Sequence, residues 1–223
     1  MSETAIREEF DQHKEFGLVP PESAVLNLEA EEISVEDIAS PEIQSLIDGM
    51  YRIAEDNKNM MVGLAAPQVG ESKQIVLIAI NKFIPGEPPN IQLQEFINPV
   101  IIDESEETVE MFESCYSTDC ICGMVERAKS ITLRAYNRYG EVFEHVFEGP
   151  PEAHFAKHEY DHIKGIRFPE RIIDDSKLHW VNINDEEEMK RYKETMANQG
   201  YWPPFPRQKY RDLQAGVPLA TFA

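Results

Sequence analysis

The stretch Glu152-Ala153-His154-Phe155-Ala156-Lys157-His158-Glu159-Tyr160-Asp161-His162-Ile163-Lys164-Gly165 follows Pro150-Pro151 and ends on a glycine. Proline ahead and glycine behind bracket a helix over 152–164. Within it, His158, Glu159 and His162 form an H-E-x-x-H pattern. Four residues make about one helical turn, so both imidazoles leave one face and can share a metal ion. Glu159, one position along, can take a proton from water beside that ion without being a ligand itself.

Two imidazoles do not close a metal site, and a third protein ligand is needed. His154 lies one turn before His158, but it is eight residues from His162. That separation is a rise of about 12 Å, too long for both to reach one ion. His179 lies beyond Pro169 and a polar stretch that leaves its direction open. Cys115, within Glu113-Ser114-Cys115-Tyr116-Ser117, follows a strand-like run and is the better candidate, though spacing alone leaves it open. Cys120 and Cys122 are too closely spaced for a zinc knuckle and read as ordinary thiols.

Upstream of this helix the chain alternates between turns and short strands. Ser40 caps and Pro41 opens a helix over 40–58, with Ile43, Leu46, Ile47, Met50 and Ala54 along one stripe. The apolar run 74–80 reads as a buried strand, and 85–90 as a proline-rich loop. Strands are expected over 95–102, 108–112, 130–136 and 141–147, the last two joined by the turn Asn137-Arg138-Tyr139-Gly140. A further helix is expected over 185–197 from a cap at Asn184, with three glutamates in its first turn. Beyond Gly200 the Pro-rich tail reads as lacking regular structure of its own. The order of elements implies an α+β fold: short mixed or antiparallel strands around a central helix bearing the H-E-x-x-H motif.

The 223 residues suffice for a real core without disulfide staples, and three cysteines form no even framework. The chain carries 41 acidic against 21 basic side chains, a formal charge of −20. Residues 1–113 hold 24 acids and 6 bases, whereas 114–223 hold 17 and 15. So negative a surface disfavours nucleic acid and anionic membranes as partners. No run is apolar enough to span a bilayer, and the acidic start resembles no export or transit signal, so a cytoplasmic location is expected. Residues 1–24 read as a flexible lead-in, 25–175 as the catalytic domain, and 176–223 as a C-terminal helix and Pro-rich tail.

Three blocks in order resemble the peptide deformylase family: Gly63-Leu64-Ala65-Ala66-Pro67-Gln68-Val69-Gly70, then Glu113-Ser114-Cys115-Tyr116-Ser117, then His158-Glu159-Tyr160-Asp161-His162 with Lys164-Gly165. Arg127-Ala128-Lys129 is similar to the family pattern too. The resemblance implies Cys115, His158 and His162 as ligands of one divalent ion, ferrous iron natively with zinc or nickel as substitutes. It implies Glu159 as general base and acid, with Gln68 and the Tyr116 backbone N–H as donors to the formyl oxygen. The implied activity is removal of formyl from N-formylmethionyl peptides, including nascent chains at the ribosome. Val62, Gly63, Met111, Glu113, His154 and Phe155 are the implied substrate-binding residues, with Pro151 completing the apolar wall.

Four positions depart from the family pattern. Met61 replaces a glycine and is expected to crowd the substrate channel or alter the backbone approach. Ser114 replaces a glycine whose backbone freedom serine lacks. His154 replaces an apolar residue and either turns to the rim or solvent or makes the pocket more polar. Asn27-Leu28-Glu29-Ala30 replaces a proline-containing opening. These departures keep open a deformylase-like hydrolase of another N-formyl or N-acyl compound. A catalytically silent metal-binding homologue, acting as an interaction module through the acidic face or the tail, is the other alternative.

Overall fold

Strand β2 (Ile75–Ala79) is buried along its whole length, and its two parities face different cores. Ile75 and Leu77 join one apolar cluster, Val76 and Ile78 the other, as the period of two in a strand requires. A strand covered on both faces has no need to alternate in polarity, which is why this run reads as continuously apolar. On one side lies helix α1 (Pro41–Asp56), whose Ile43, Ile47, Met50 and Ala54 pack with Ile75, Leu77 and Ile97. On the other lies helix α2 (Glu152–Ile163), whose Ala153, Ala156 and Ile163 meet Val76, Ile78 and Phe96. The helix carrying the histidines is therefore clamped against a sheet by small and branched side chains.

The computed structural model describes residues 17–57, 61–83, 90–182 and 185–218. A five-stranded sheet runs β1 (Gly63–Ala65), β2, β3 (Leu93–Glu104), β6 (Ser130–Tyr136) and β7 (Val142–Glu148). A three-stranded sheet runs β4 (Thr108–Ser114), β5 (Ile121–Ala128) and β8 (Leu178–Trp180). Every pairing between these strands is antiparallel. The α+β architecture expected from the order of elements is the one found, with helix α2 as its centre.

Differences from the expectations have local causes. Strand β1 is too short to show a period, and β5 is buried on both faces, so neither alternates. Helix α1 ends at Asp56, capped by Asn57; Lys58, residues 85–89 of the expected loop and Asn184 lie outside the described residues. Helix α3 (Glu186–Ala197) is instead capped by Asp185, whose side chain accepts the Glu187 and Glu188 N–H groups. The tail is not without regular structure: it holds helix α4 (Arg207–Gln214). Tyr210 and Leu213 of α4 bury against Phe168, Ile172 and Leu178, and that tertiary packing supplies what the local sequence lacks. The described part of the lead-in, 17–24, is likewise tied down. Leu18 is buried, and the Val19 N–H donates to the Gln68 carbonyl. Among the described residues, no helix is long and apolar enough to cross a membrane.

Candidate metal centre

Strand β4 delivers Cys115 to its end, where the chain enters a tight turn over Tyr116–Thr118. The Thr118 N–H and hydroxyl both donate to the Cys115 carbonyl, which fixes the turn. Cys115, His158 and His162 each offer one ligand atom, and these lie within 4.8 Å of one another. Cys115 Sγ is 3.3 Å from His162 Nε2, and the two imidazole centroids are 5.0 Å apart. One thiolate and two imidazoles suit a late first-row divalent ion, so the donor set fits the implied metal. His154 and His179 lie outside this cluster.

His158 is oriented from behind. Its Nδ1 is 2.8 Å from Glu113 Oε2, which leaves Nε2 as the nitrogen able to ligate an ion. Glu113 in turn receives two hydrogen bonds from Arg127, Nε to Oε1 at 2.5 Å and Nη2 to Oε2 at 2.9 Å. Arg127 Nη1 donates to Asp161 Oδ2 at 2.7 Å, and Arg171 donates to both oxygens of Asp161. The carboxylates of Glu113 and Asp161 thus alternate with two guanidiniums behind the helix. Burial pushes Glu113 up, but Arg127 and His158 outweigh it and hold the carboxyl at about 2. Burial would also lower His158, yet Cys115 and Glu113 raise it well above the ordinary value. His162 is lowered well below, first by burial and then by His158 and Arg167.

Glu159 differs from every other acid near the site. It is buried, its Oε2 has no hydrogen-bond partner among the described residues, and burial pushes it up to about 7. Its carboxylate passes directly over Gly63: a Cβ there would fall 2.4 Å from Glu159 Oε1. A side chain at position 63 would collide with the Glu159 carboxyl, so glycine leaves that carboxyl its space. Gln68, in the turn Ala66–Val69, is fixed by its Oε1, which accepts the Ala65 N–H at 2.8 Å. Its Nε2 donates to Ser117 Oγ at 3.1 Å and is directed at Cys115 Sγ at 3.7 Å. Tyr116, next to Cys115, opens the tight turn, and its ring packs on the α1 cluster.

The remaining residues divide. Val62, Met111 and Phe155 are half-buried, Phe155 edge-on to Phe83 at 5.2 Å. Both oxygens of Glu113 are engaged with His158 and Arg127, so its carboxylate orients these two side chains. His154 is only 2% exposed, which removes the solvent-facing alternative. The backbones of Val109 and Val125 are its polar neighbours, but among the described residues neither ring nitrogen reaches a partner in good hydrogen-bond geometry. Met61 packs in the core with α1 instead of crowding a channel. Ser114 ends β4 in pairing with Cys122, and its backbone lies outside the left-handed region, so serine is unstrained there. The sequence reading missed Asp161, Arg171 and Ser117. The available signal was an acid, Asp161, immediately before His162 inside the H-E-x-x-H pattern.

The polypeptide deformylase family model matches residues 18–178. A peptide deformylase of Fusobacterium nucleatum is 35% identical over 172 residues, 76% of this chain and 92% of that protein. A ligand-bound crystal structure of class I type b peptide deformylase from Acinetobacter baumannii superposes with TM-score 0.63 at 32% identity, covering 70% of this chain and 97% of that one. A second structure of the Acinetobacter enzyme, with Met-Ala-Ser bound, gives 0.60 at 34% identity, covering 67% and 93%. With a Cys/His/His cluster and a buried carboxylate lying within the region 18–178 that the family model matches, the chain belongs to the peptide deformylase family.

Proposed function

We propose that this chain hydrolyses the N-terminal formyl group of formyl-methionyl peptides at the site formed by Cys115, His158, His162, Glu159 and Gln68. The observation that carries the reading is Glu159: a buried carboxylate with one unpartnered oxygen beside a Cys/His/His cluster. Cys115, His158 and His162 would hold a divalent ion, with iron(II) as the native metal and zinc or nickel as replacements. Such an ion lowers the pKa of coordinated water and polarises a carbonyl oxygen.

The rest is done by this chain. Glu159, with its pKa near 7, accepts the proton of the attacking water and returns it to the amine nitrogen as the C–N bond breaks. Gln68 Nε2 and the Tyr116 N–H donate to the formyl oxygen as charge develops on it, where losing one donor typically costs about 3–4 kcal/mol. Burial of Gln68, Cys115 and Glu159 keeps bulk water from competing for these donors. The Acinetobacter enzyme binds Met-Ala-Ser, which has the form of a deformylated product, and that supports a peptide bearing N-terminal methionine as substrate here. Nascent chains on cytoplasmic ribosomes are the matching source, with residues 25–175 as the catalytic unit and no part for nucleic acid or membrane.

The test is formate release from formyl-Met-Ala-Ser by protein loaded with iron, nickel or zinc. Turnover is expected, and Glu159→Ala should reduce kcat by about 10²–10⁴-fold with metal retained. Full activity in that variant would refute the assignment. The buried, unpaired His154 favours a second reading in which the formylated compound carries a hydrogen-bonding side chain. A panel of formylated peptides decides between them, and preference for formyl-Met ends the second reading.

A further inference from the structure

We infer that Arg167 is a positioning residue: its guanidinium, faced by the Tyr210 ring from helix α4, fixes the Cys115–Ser117 turn through the Ser117 carbonyl. Arg167 lies just past α2 and is fully buried. Its acceptors are neutral oxygens: Nη1 donates to Ser117 O at 3.0 Å and Pro21 O at 2.7 Å, and Nη2 to Asn27 Oδ1 at 2.6 Å. A guanidinium buried among neutral oxygens is costly to desolvate, so surface solvation does not account for its place. The Tyr210 ring centroid is 5.7 Å from the guanidinium carbon, and its hydroxyl donates to Glu170 Oε1.

Ser117 is the point where this support meets the site. Its carbonyl takes the Arg167 hydrogen bond while its hydroxyl accepts from Gln68 Nε2, two residues from Cys115. A shift of the turn therefore moves the sulfur and the Gln68 amide together. Tyr210 lies beyond residue 178, where the family match ends, so a segment outside the matched region braces the proposed centre. This inference rests on the deformylase reading for its kinetic arm only.

The experiment uses the full chain loaded with cobalt(II) and compares Arg167→Met, Arg167→Lys and Asn27→Ala. Asn27→Ala removes an acceptor of the same guanidinium away from the turn. Arg167→Met is expected to shift the sulfur-to-cobalt absorption band and lower kcat about ten- to a hundredfold. KM should stay within about twofold, with Arg167→Lys recovering part of both signals. Asn27→Ala should lower the thermal midpoint while leaving band and kcat at parental values. Parental band and kcat in Arg167→Met, or equal changes in Asn27→Ala, would overturn the inference. Should Arg167→Met not fold, Tyr210→Leu reads the same two signals, and parental values there overturn it as well. A parent without deformylase activity would sink the deformylase reading, while the cobalt band still reports on Arg167.

Discussion

Two buried regions of this protein each set a cysteine beside a histidine, and only one has the surroundings of a reactive centre. At the first, Cys115 faces His162 with a second imidazole, a paired carboxylate behind it and an unpaired one alongside. At the second, Cys122 on β5 pairs across the ladder with His179 on β8. There the neighbours are aromatic: the Tyr192 ring lies 5.4 Å from His179 and packs against Phe112 and Trp202. Burial pushes the Cys122 thiol up to about 12 and lowers His179. Both environments therefore favour the neutral forms. Residue types do not make a site; fixed charge around them does.

Three experiments press on that contrast, beginning with the largest expected change. Cys115→Ala should reduce bound metal from about one ion per chain to near zero, whereas Cys122→Ala should leave it at about one. Metal analysis of both proteins checks this, and equal loss in the two would erase the distinction. Next, Gly63→Ala sets a methyl group where the Glu159 carboxylate lies. It should keep its metal yet lose about 10²-fold in kcat, so unchanged turnover would show that the base tolerates displacement. The smallest effect concerns pH. Cys122 ionises near 9 when unfolded but only at about 12 when folded. The folded state then holds a proton that the unfolded state has lost, so stability present below pH 9 declines as pH rises towards 12. Urea midpoints measured from pH 8 to 11 should fall less steeply in Cys122→Ser than in the parent.

How much of this could be read from the sequence varied with the physics of each part. Helix α2 was legible because His158 and His162 are one turn apart, with Glu159 beside them, between prolines ahead and a glycine behind. Helix α1 and strand β2 were legible from their apolar patterns. Strand β5 was not, because it contributes to three apolar clusters, through Ile121 and Val125, through Cys122 and through Ala128. Helix α4 was hidden by the prolines before it, since its stability comes from Tyr210 and Leu213 docking on distant residues. At the site, the three ligands and Glu159 carry chemical patterns, whereas Gly63 is explained only by what passes over it. Arg167 carries no pattern in the sequence, because its acceptors on Ser117, Pro21 and Asn27 lie far from it along the chain.

Mounting both imidazoles and the Glu159 carboxylate on helix α2 has a bearing on how this protein tolerates change. Their mutual spacing is set by one hydrogen-bonded rod, so substitutions in the five-stranded sheet translate all three as a block. The sulfur rides on the other sheet. Drift accumulated in either layer would then surface as a looser grip on the ion, with the bite between the two nitrogens staying constant.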